Sequence, residues 1–161
     1  MRMTRRGNLK KSETRRYPDR PILGVGALIL RRGRILLVER GREPLKGYWS
    51  LPGGVLESGE KLTEGIQREV LEETGLEVEP LGILEVFERI TSDGRGRAEY
   101  HYVLIDYLCR VRGGRLKPGD DVSRAEWVAR ADLHERRITE GTLPVIERAF
   151  RQGRRALLKT R

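Results

Sequence analysis

The 161-residue chain has one cysteine, Cys109, which excludes a disulfide within the chain and any thiolate cluster for a metal. Cys109 reads as a strand residue. No apolar run approaches the roughly 18 residues of a membrane span, and the longest, over 22–30, is interrupted. The charged N-terminus is followed by no hydrophobic core of a secretory signal, so a cytoplasmic protein is expected and no membrane partner. Internal repeats are lacking too. Aromatic residues make up only 6%, and Tyr17 is the only one near the N-terminal basic run, which argues against a stacking platform for single-stranded nucleic acid.

What is abundant is positive charge: the net charge is +9. Such a balance ordinarily suggests nucleic acid or an anionic surface. Its distribution points elsewhere. Residues 1–16 carry +6 and residues 151–161 carry +5, which leaves −2 for residues 17–150. The body is therefore close to neutral, and no specific nucleic-acid partner is expected. The ends read as basic tails over 1–19 and 153–161, solvated or in loose contact with polyanions or an oligomer partner, around one domain over 20–152. A chain of this length supports a single hydrophobic core.

Along the chain, residues 21–30 and 35–38 are strand-forming runs about the turn Arg31-Arg32-Gly33-Arg34, hence a hairpin. Residues 40–47 are a polar loop, 48–51 a short strand, and Pro52-Gly53-Gly54 a break whose glycines allow a carbonyl or amide to be aimed inward. Residues 78–90 form a strand interrupted at Pro80-Leu81-Gly82, residues 91–97 a loop, and 100–109 a long strand. Residues 126–128 are another short strand, and Thr142 caps a helix to about Gln152 that is stopped by Gly153. Strands in hairpins with helices against them predict a mixed sheet.

The segment between Gly54 and Leu76 carries the chemistry. Helical spacing over 62–74 places Leu62, Ile66 and Val70 on one apolar stripe for a sheet. Beside that stripe, Glu69, Glu72 and Glu73 share an arc of about 100°. Carboxylates one turn apart repel each other, and a divalent cation relieves that repulsion. Carboxylate oxygens are the hard ligands that Mg²⁺ and Mn²⁺ prefer, and Mg²⁺ commonly joins them to substrate phosphates. Arg68, among Glu60, Glu64 and Glu72, is placed to orient carboxylates, because a guanidinium forks to two at once. Gly75 is placed to end the helix in a left-handed conformation. Gly65 inside the helix costs about 1 kcal/mol relative to alanine, which close approach of another backbone would offset.

The pattern Gly54-x5-Glu60-x7-Arg68-Glu69-Val70-x-Glu72-Glu73-x-Gly75-Leu76 resembles, without a gap, the 23-residue box of the Nudix (MutT-type) hydrolases. Seven fixed positions make a chance match at one start on the order of 10⁻⁸. Leu51-Pro52-Gly53 and the strand order extend the resemblance over about residues 20–150. It implies an α/β/α sandwich with a mixed sheet and Mg²⁺-dependent hydrolysis of a nucleoside diphosphate linked to another moiety. It further implies Glu69, Glu72 and Glu73 as metal ligands with the Gly53 carbonyl, and Arg68 with Glu60 as their brace. Gly54, Glu60 and Gly75 would support the site. Gly65 and Ile66 stand where the family usually has alanines, a departure that touches packing more than ligation.

The general base is open between Glu72 or Glu73 in the box and Asp121 in the loop Lys117-Pro118-Gly119-Asp120-Asp121; Glu99 and His101 are further candidates. That loop, with Leu116 before it and Glu126-Trp127 after it, is similar to small ADP-ribose pyrophosphatases of the family. The proline often found about sixteen residues past the box is absent, with Ser92 in its place. That region also lacks the tyrosine that dinucleoside polyphosphate hydrolases tend to have, and on the likeness of the 116–127 segment, against the missing proline, the expected substrate is ADP-ribose or a related nucleotide sugar. Intact or oxidised nucleoside triphosphates are the alternative, and a non-catalytic nucleotide- or RNA-binding module is the alternative of another class. Tyr48, Trp49, Phe87 and Tyr102 are candidates to stack on a base, against the competing reading of sheet packing. Substrate choice is expected to rest with the loops at 91–97 and 117–121. A monomer or homodimer is expected.

Overall fold

The computed structural model describes residues 15–119 and 121–158. Most of residues 1–19, the C-terminal 159–161 and Asp120 thus lie outside the described residues, and with them most of the expected basic tails.

A two-residue turn makes the first hairpin. Arg32 and Gly33 both have positive φ, 50° and 74°, the combination that matches the twist of the strands it joins. Strand β1 (Ile22–Arg31) is thereby returned as β2 (Arg34–Arg40), with Arg31 opposite Arg34. β1 lies at the centre of the sheet, antiparallel to β2 and parallel to the later strand β6 (Ala98–Gly114), so residues 24–29 are buried throughout. β3 (Trp49–Ser50) adds to β2, and β4 (Gly53–Val55) pairs antiparallel with β1. The glycines read as a break are thus themselves a strand: Gly53 and Gly54 lie opposite Gly26 and Val25, and the Gly53 backbone approaches Val25 so closely that no Cβ fits there.

Helix α1 (Leu62–Thr74) follows with the predicted bounds. Glu64 accepts a hydrogen bond from the Lys61 N–H at 3.0 Å, which satisfies one donor at the helix start. Gly75 ends the helix at φ 72°. β5 (Leu76–Ser92) and β6 (Ala98–Gly114) then form a long antiparallel hairpin. Pro80-Leu81-Gly82 does not interrupt β5. The register shifts between Pro80 and Gly82 instead, a bulge on an outer strand where a missing N–H costs no ladder bond. β7 (Val122–Ala129) pairs with β2, and a 3-10 helix at Arg130–Glu135, not foreseen in the sequence, leads to α2 (Thr142–Gln152). Gly141, with φ 81°, precedes that helix as its cap; Thr142 is the first helical residue, its hydroxyl shared with Thr139 at 2.8 Å.

The sandwich is evident in two cores. Ile66 and Val70 of α1 pack with Val25, Ala27, Ile29, Tyr107 and Cys109 on one face. Val145, Ile146 and Ala149 of α2 pack with Leu28, Leu84, Leu108 and Trp49 on the other. Cys109 is buried and its thiol is pushed up to about 12 by burial, consistent with a packing residue. No helix among the described residues is long and apolar enough to cross a membrane. Parts of both presumed tails dock on the body. Arg16 pairs with Glu99 at 2.8 Å and the Tyr17 N–H donates to the Glu99 carbonyl. At the other end Leu157 fills the space beside Gly82, and the Leu158 N–H donates to Ile83.

Candidate active site

The box forms two arrangements of opposite character on α1. At its N-terminal part, Arg68 gathers three acids. Its Nε and Nη2 donate to the two oxygens of Glu60 at 2.7 and 3.0 Å, and its Nη1 donates to Glu69 at 2.8 Å and Glu72 at 3.5 Å. Nη2 also reaches the Val55 carbonyl at 3.3 Å, which ties the helix to β4. The Arg68 bonds, with the Glu57 N–H at 2.9 Å, hold Glu60 down to about 2. Glu64, expected beside Arg68, is occupied at the helix start instead. Gly65 is close to side chains rather than to a backbone: a Cβ there would stand 2.8 Å from Leu56 and 3.0 Å from Glu60. Its cost in helix propensity makes room for the Glu60 carboxylate.

At the C-terminal part, Glu73 turns under β4 and accepts from the Gly53 N–H at 2.9 Å. Burial pushes its carboxyl up to about 8 against the lowering effect of that hydrogen bond, and the charge of Glu69 adds to the rise. Gly54 has no side chain because the Glu69 carboxylate occupies the place of its Cβ. The two glycines of β4 therefore seat Glu69 and Glu73, while Glu72, with a side chain 60% exposed, faces solvent.

Among the described residues no group of three such side chains is drawn together as a ready metal cage. Glu69 is turned to Arg68, and Glu73 to the Gly53 amide. The donor set nevertheless fits a hard divalent cation. Two carboxylates flank one glycine pair, one of them is kept from ionising by burial, and the Glu69 charge disfavours ionisation further, so a cation would relieve both.

The loop after β6 is clasped to the same end of α1. The N–H groups of Arg115, Lys117 and Gly119 donate to the carbonyls of Gly75, Thr74 and Glu73 at 3.3, 2.8 and 2.9 Å, partners for groups that a helix end otherwise leaves unsatisfied. This brings Asp121 close enough for its charge to act on Glu73. Asp121 itself is exposed and paired with Arg42 at 2.9 Å. Arg40, unmarked in the sequence, lies on the same side and its charge favours ionised Glu73. Its one legible signal was its place at the start of the polar loop.

The other candidates are dispersed. Trp49 is only 4% exposed, inside the α2-side core with the guanidinium groups of Arg124 and Arg136 each 5.2 Å from its ring centre, so the stacking role is corrected to a packing role. Tyr48 is half-buried under Arg137, which lies 4.4 Å from the ring centre and donates to its hydroxyl at 2.9 Å. Phe87 is half-buried on β5 beside Gly141, and Tyr102 is half-buried on β6, opposite Arg89. Glu99 is engaged by Arg16. The turn within 91–97 closes on itself, with Asp93 accepting from the Arg95 and Arg97 amides. Thr91 pairs with Tyr100, six residues along β6 from the Gly26–Asp106 pairing, or about 20 Å at strand rise. That turn is therefore remote from Glu73, and of the two loops expected to govern substrate choice only 117–121 adjoins the box.

Carboxylates of α1 seated against the glycines of β4, on a helix laid against a mixed sheet, form a candidate site for a hard divalent cation. Residues 20–149 match the family model described as NUDIX domain. Over 121 residues the chain is 37% identical to an ADP-ribose pyrophosphatase of Methanocaldococcus jannaschii, covering 74% of this chain and 69% of that protein. It is 36% identical over 103 residues to the human 8-oxo-dGDP phosphatase NUDT18, covering 62% of this chain but only 29% of the larger protein. A MutT NUDIX hydrolase structure from Burkholderia pseudomallei superimposes with a TM-score of 0.71 at 33% identity, over 80% of this chain and 98% of that one. The chain belongs to the NUDIX family. It is a pyrophosphohydrolase acting on nucleoside diphosphates linked to a further moiety.

Proposed function

We propose that the protein hydrolyses the diphosphate bridge of ADP-ribose or a closely related nucleotide sugar with Mg²⁺, for which Mn²⁺ can substitute. The observation that carries this reading is the clasp of the 115–119 segment on the last carbonyls of α1, which sets a loop similar to those of small ADP-ribose pyrophosphatases directly beside Glu73. The 37% identity to an ADP-ribose pyrophosphatase supports it independently.

The cation would be held by Glu69, Glu72 and Glu73 with the Gly53 carbonyl, and would supply charge neutralisation at the diphosphate and acidification of an attacking water. The chain's own residues do the rest. Arg68 holds Glu69 and Glu60 in fixed orientation, so the ligand set needs little reorganisation. The Gly53 N–H positions Glu73. Asp121 and the box glutamates are the groups available to accept the proton of water, Asp121 being exposed and paired with Arg42. Arg40 and Arg42 place positive charge at the same rim. A near-neutral body leaves the substrate's charge to be met there, where positioning and screening dominate phosphoryl transfer. The protein acts as a monomer or homodimer in the cytoplasm on this reading, without a specific nucleic-acid partner.

The likeness to an 8-oxo-dGDP phosphatase supports a second reading, removal of phosphate from oxidised nucleotides. Purified protein with Mg²⁺ and a nucleotide panel between pH 7.5 and 9 separates the two. AMP and ribose 5-phosphate from ADP-ribose is the expected result. Preferential turnover of oxidised nucleoside di- or triphosphates would favour the second reading. No turnover across the panel would leave a binding module.

A further inference from the structure

One buried acid takes no part in the site as described. Asp106 on β6 is 5% exposed, and among the described residues its carboxylate accepts no hydrogen bond. It shares its face of the sheet with Leu108, on the α2 side, whereas Tyr107 and Cys109 face α1. A carboxylate with this little exposure usually finds donors, although the Asp106 oxygens are not among the fully buried atoms without a partner. The neighbouring charges do not supply them. Glu85 lies opposite Asp106 in register and is paired with Arg148 of α2. Arg89, further along β5, donates to the Glu140 carbonyl. Burial pushes Asp106 up to about 7, with Glu85 adding to the rise and Arg89 opposing it.

The position of Asp106 relates it to the catalytic edge. Gly53 pairs with Gly26, Gly26 with Asp106, and Asp106 with Glu85, so one row crosses four strands from the Glu73-bearing amide to this acid. Two of the four residues are glycines. The Asp106 carboxylate leans back along the row, into the space a Cβ at Gly26 would need, with Leu51 bordering the same space. Gly24, two residues earlier on the same face, is likewise bare, and a Cβ there would stand 2.7 Å from Leu104. At about 4.8 Å between strands, Asp106 is about 10 Å from Gly53. That is the order of the distance from a nucleotide's phosphates to the far edge of its nucleoside. On the same face, Phe87 beside Gly141 offers an apolar flank.

We infer that Asp106 is a specificity-determining acceptor for the nucleoside half of the substrate, taking a hydrogen bond from an N–H of the base edge or an O–H of the ribose. The inference rests on the proposed reading that a nucleoside diphosphate-linked compound binds with its phosphates at Gly53 and Glu73. A side chain at Gly26 would displace the Asp106 carboxylate, so the bare glycine keeps the acceptor in this position. Asp106 is distinct from the metal-side acids, since it stands on the opposite face of the sheet from α1.

The test compares wild type with Asp106→Leu and Asp106→Asn. Affinity for the α,β-methylene analogue of ADP-ribose, which cannot be hydrolysed, is measured by calorimetry with Mg²⁺, together with KM and kcat for ADP-ribose. Loss of a hydrogen bond to a charged acceptor should weaken binding by about 10–100-fold for the leucine variant and less for asparagine, which keeps an oxygen. KM should rise by a similar factor while kcat and the Mg²⁺ concentration for half-activation stay within about threefold. Etheno-ADP-ribose, in which the base amine is blocked, and 2′-deoxyribosyl ADP-ribose assign the donor: the analogue lacking it should bind wild type as weakly as ADP-ribose binds the leucine variant. Unchanged binding and KM in a folded variant would overturn the inference. So would equal loss on every substrate accompanied by a lowered melting temperature, the mark of a merely structural role. Absence of both binding and turnover in wild type would instead overturn the substrate reading beneath it.

Discussion

Glu60 and Glu73 belong to the same box, thirteen residues apart, and their environments are opposite. Glu60 is met by Nε and Nη2 of Arg68 and by the Glu57 amide, and is held ionised down to about 2. Glu73 accepts from a single amide among the described residues, at Gly53, is buried against β4, and is pushed up to about 8. One acid is satisfied by the protein; the other is left for a partner the protein does not contain. A site for a divalent cation needs both kinds, since an arrangement satisfied throughout gains nothing from a cation and one satisfied nowhere does not keep its shape.

The sharpest way to break this contrast is to remove the unsatisfied acid. Glu73→Gln should lower kcat by on the order of 10³, because charge that would neutralise and hold the cation is lost. The metal-free variant should melt no lower than wild type, since a buried acid has been replaced by a neutral group that still accepts from Gly53. Steady-state kinetics and thermal melts in chelator check both halves, and a variant with near-normal turnover would contradict the assignment.

Loosening the satisfied acid should matter less. Arg68→Lys keeps a charge but loses the fork to Glu60 and Glu69, and activity should fall by about 10–100-fold with a higher Mg²⁺ requirement. Recovery of most of that loss at saturating Mg²⁺ would identify Arg68 as a positioning residue; a loss of equal size at every Mg²⁺ concentration would give it a direct role at the substrate.

The smallest effect is expected in stability against pH. Glu73 has a folded value above its ordinary one near 4.5, so the native state holds the proton more tightly than the unfolded chain. Its favourable contribution is present at low pH and is lost as pH rises through about 8. Glu60 has the opposite sign, its contribution being present above about 4.5 and lost as pH falls towards 2. In chelator the melting temperature should therefore decline between about pH 5 and 8, and Mg²⁺ should raise it most at the alkaline end. Calorimetric scans at fixed ionic strength measure this, and a Mg²⁺ effect independent of pH would separate Glu73 from cation binding.

What was legible in the sequence was what is local. The bounds of α1, the left-handed Gly75, the stripe of Ile66 and Val70 and the reach of Arg68 to Glu60 all follow from spacing within one turn or two. The seating of Glu69 and Glu73 on β4 did not follow, because it depends on Gly53 and Gly54 pairing with β1 across about thirty residues. Pro80 read as a break because a bulge on an outer strand has no local signature beyond that of a turn. Arg154 and Arg155 made 153–158 read as a solvated end, although Leu157 had a place waiting beside Gly82 on β5. Asp106, eighty residues from its neighbour Gly26, gave no signal of its own in a strand of tyrosines and leucines.

The clasp of Arg115, Lys117 and Gly119 on the carbonyls of Gly75, Thr74 and Glu73 makes the rim and the end of the glutamate helix a single mechanical piece. A substitution that reshapes this rim for a new leaving group would also shift the backbone that carries Glu73. Leaving-group selection and cation affinity are therefore traits that mutation must move together, whereas the nucleoside end, two strands away across the sheet, is free to diverge without disturbing either.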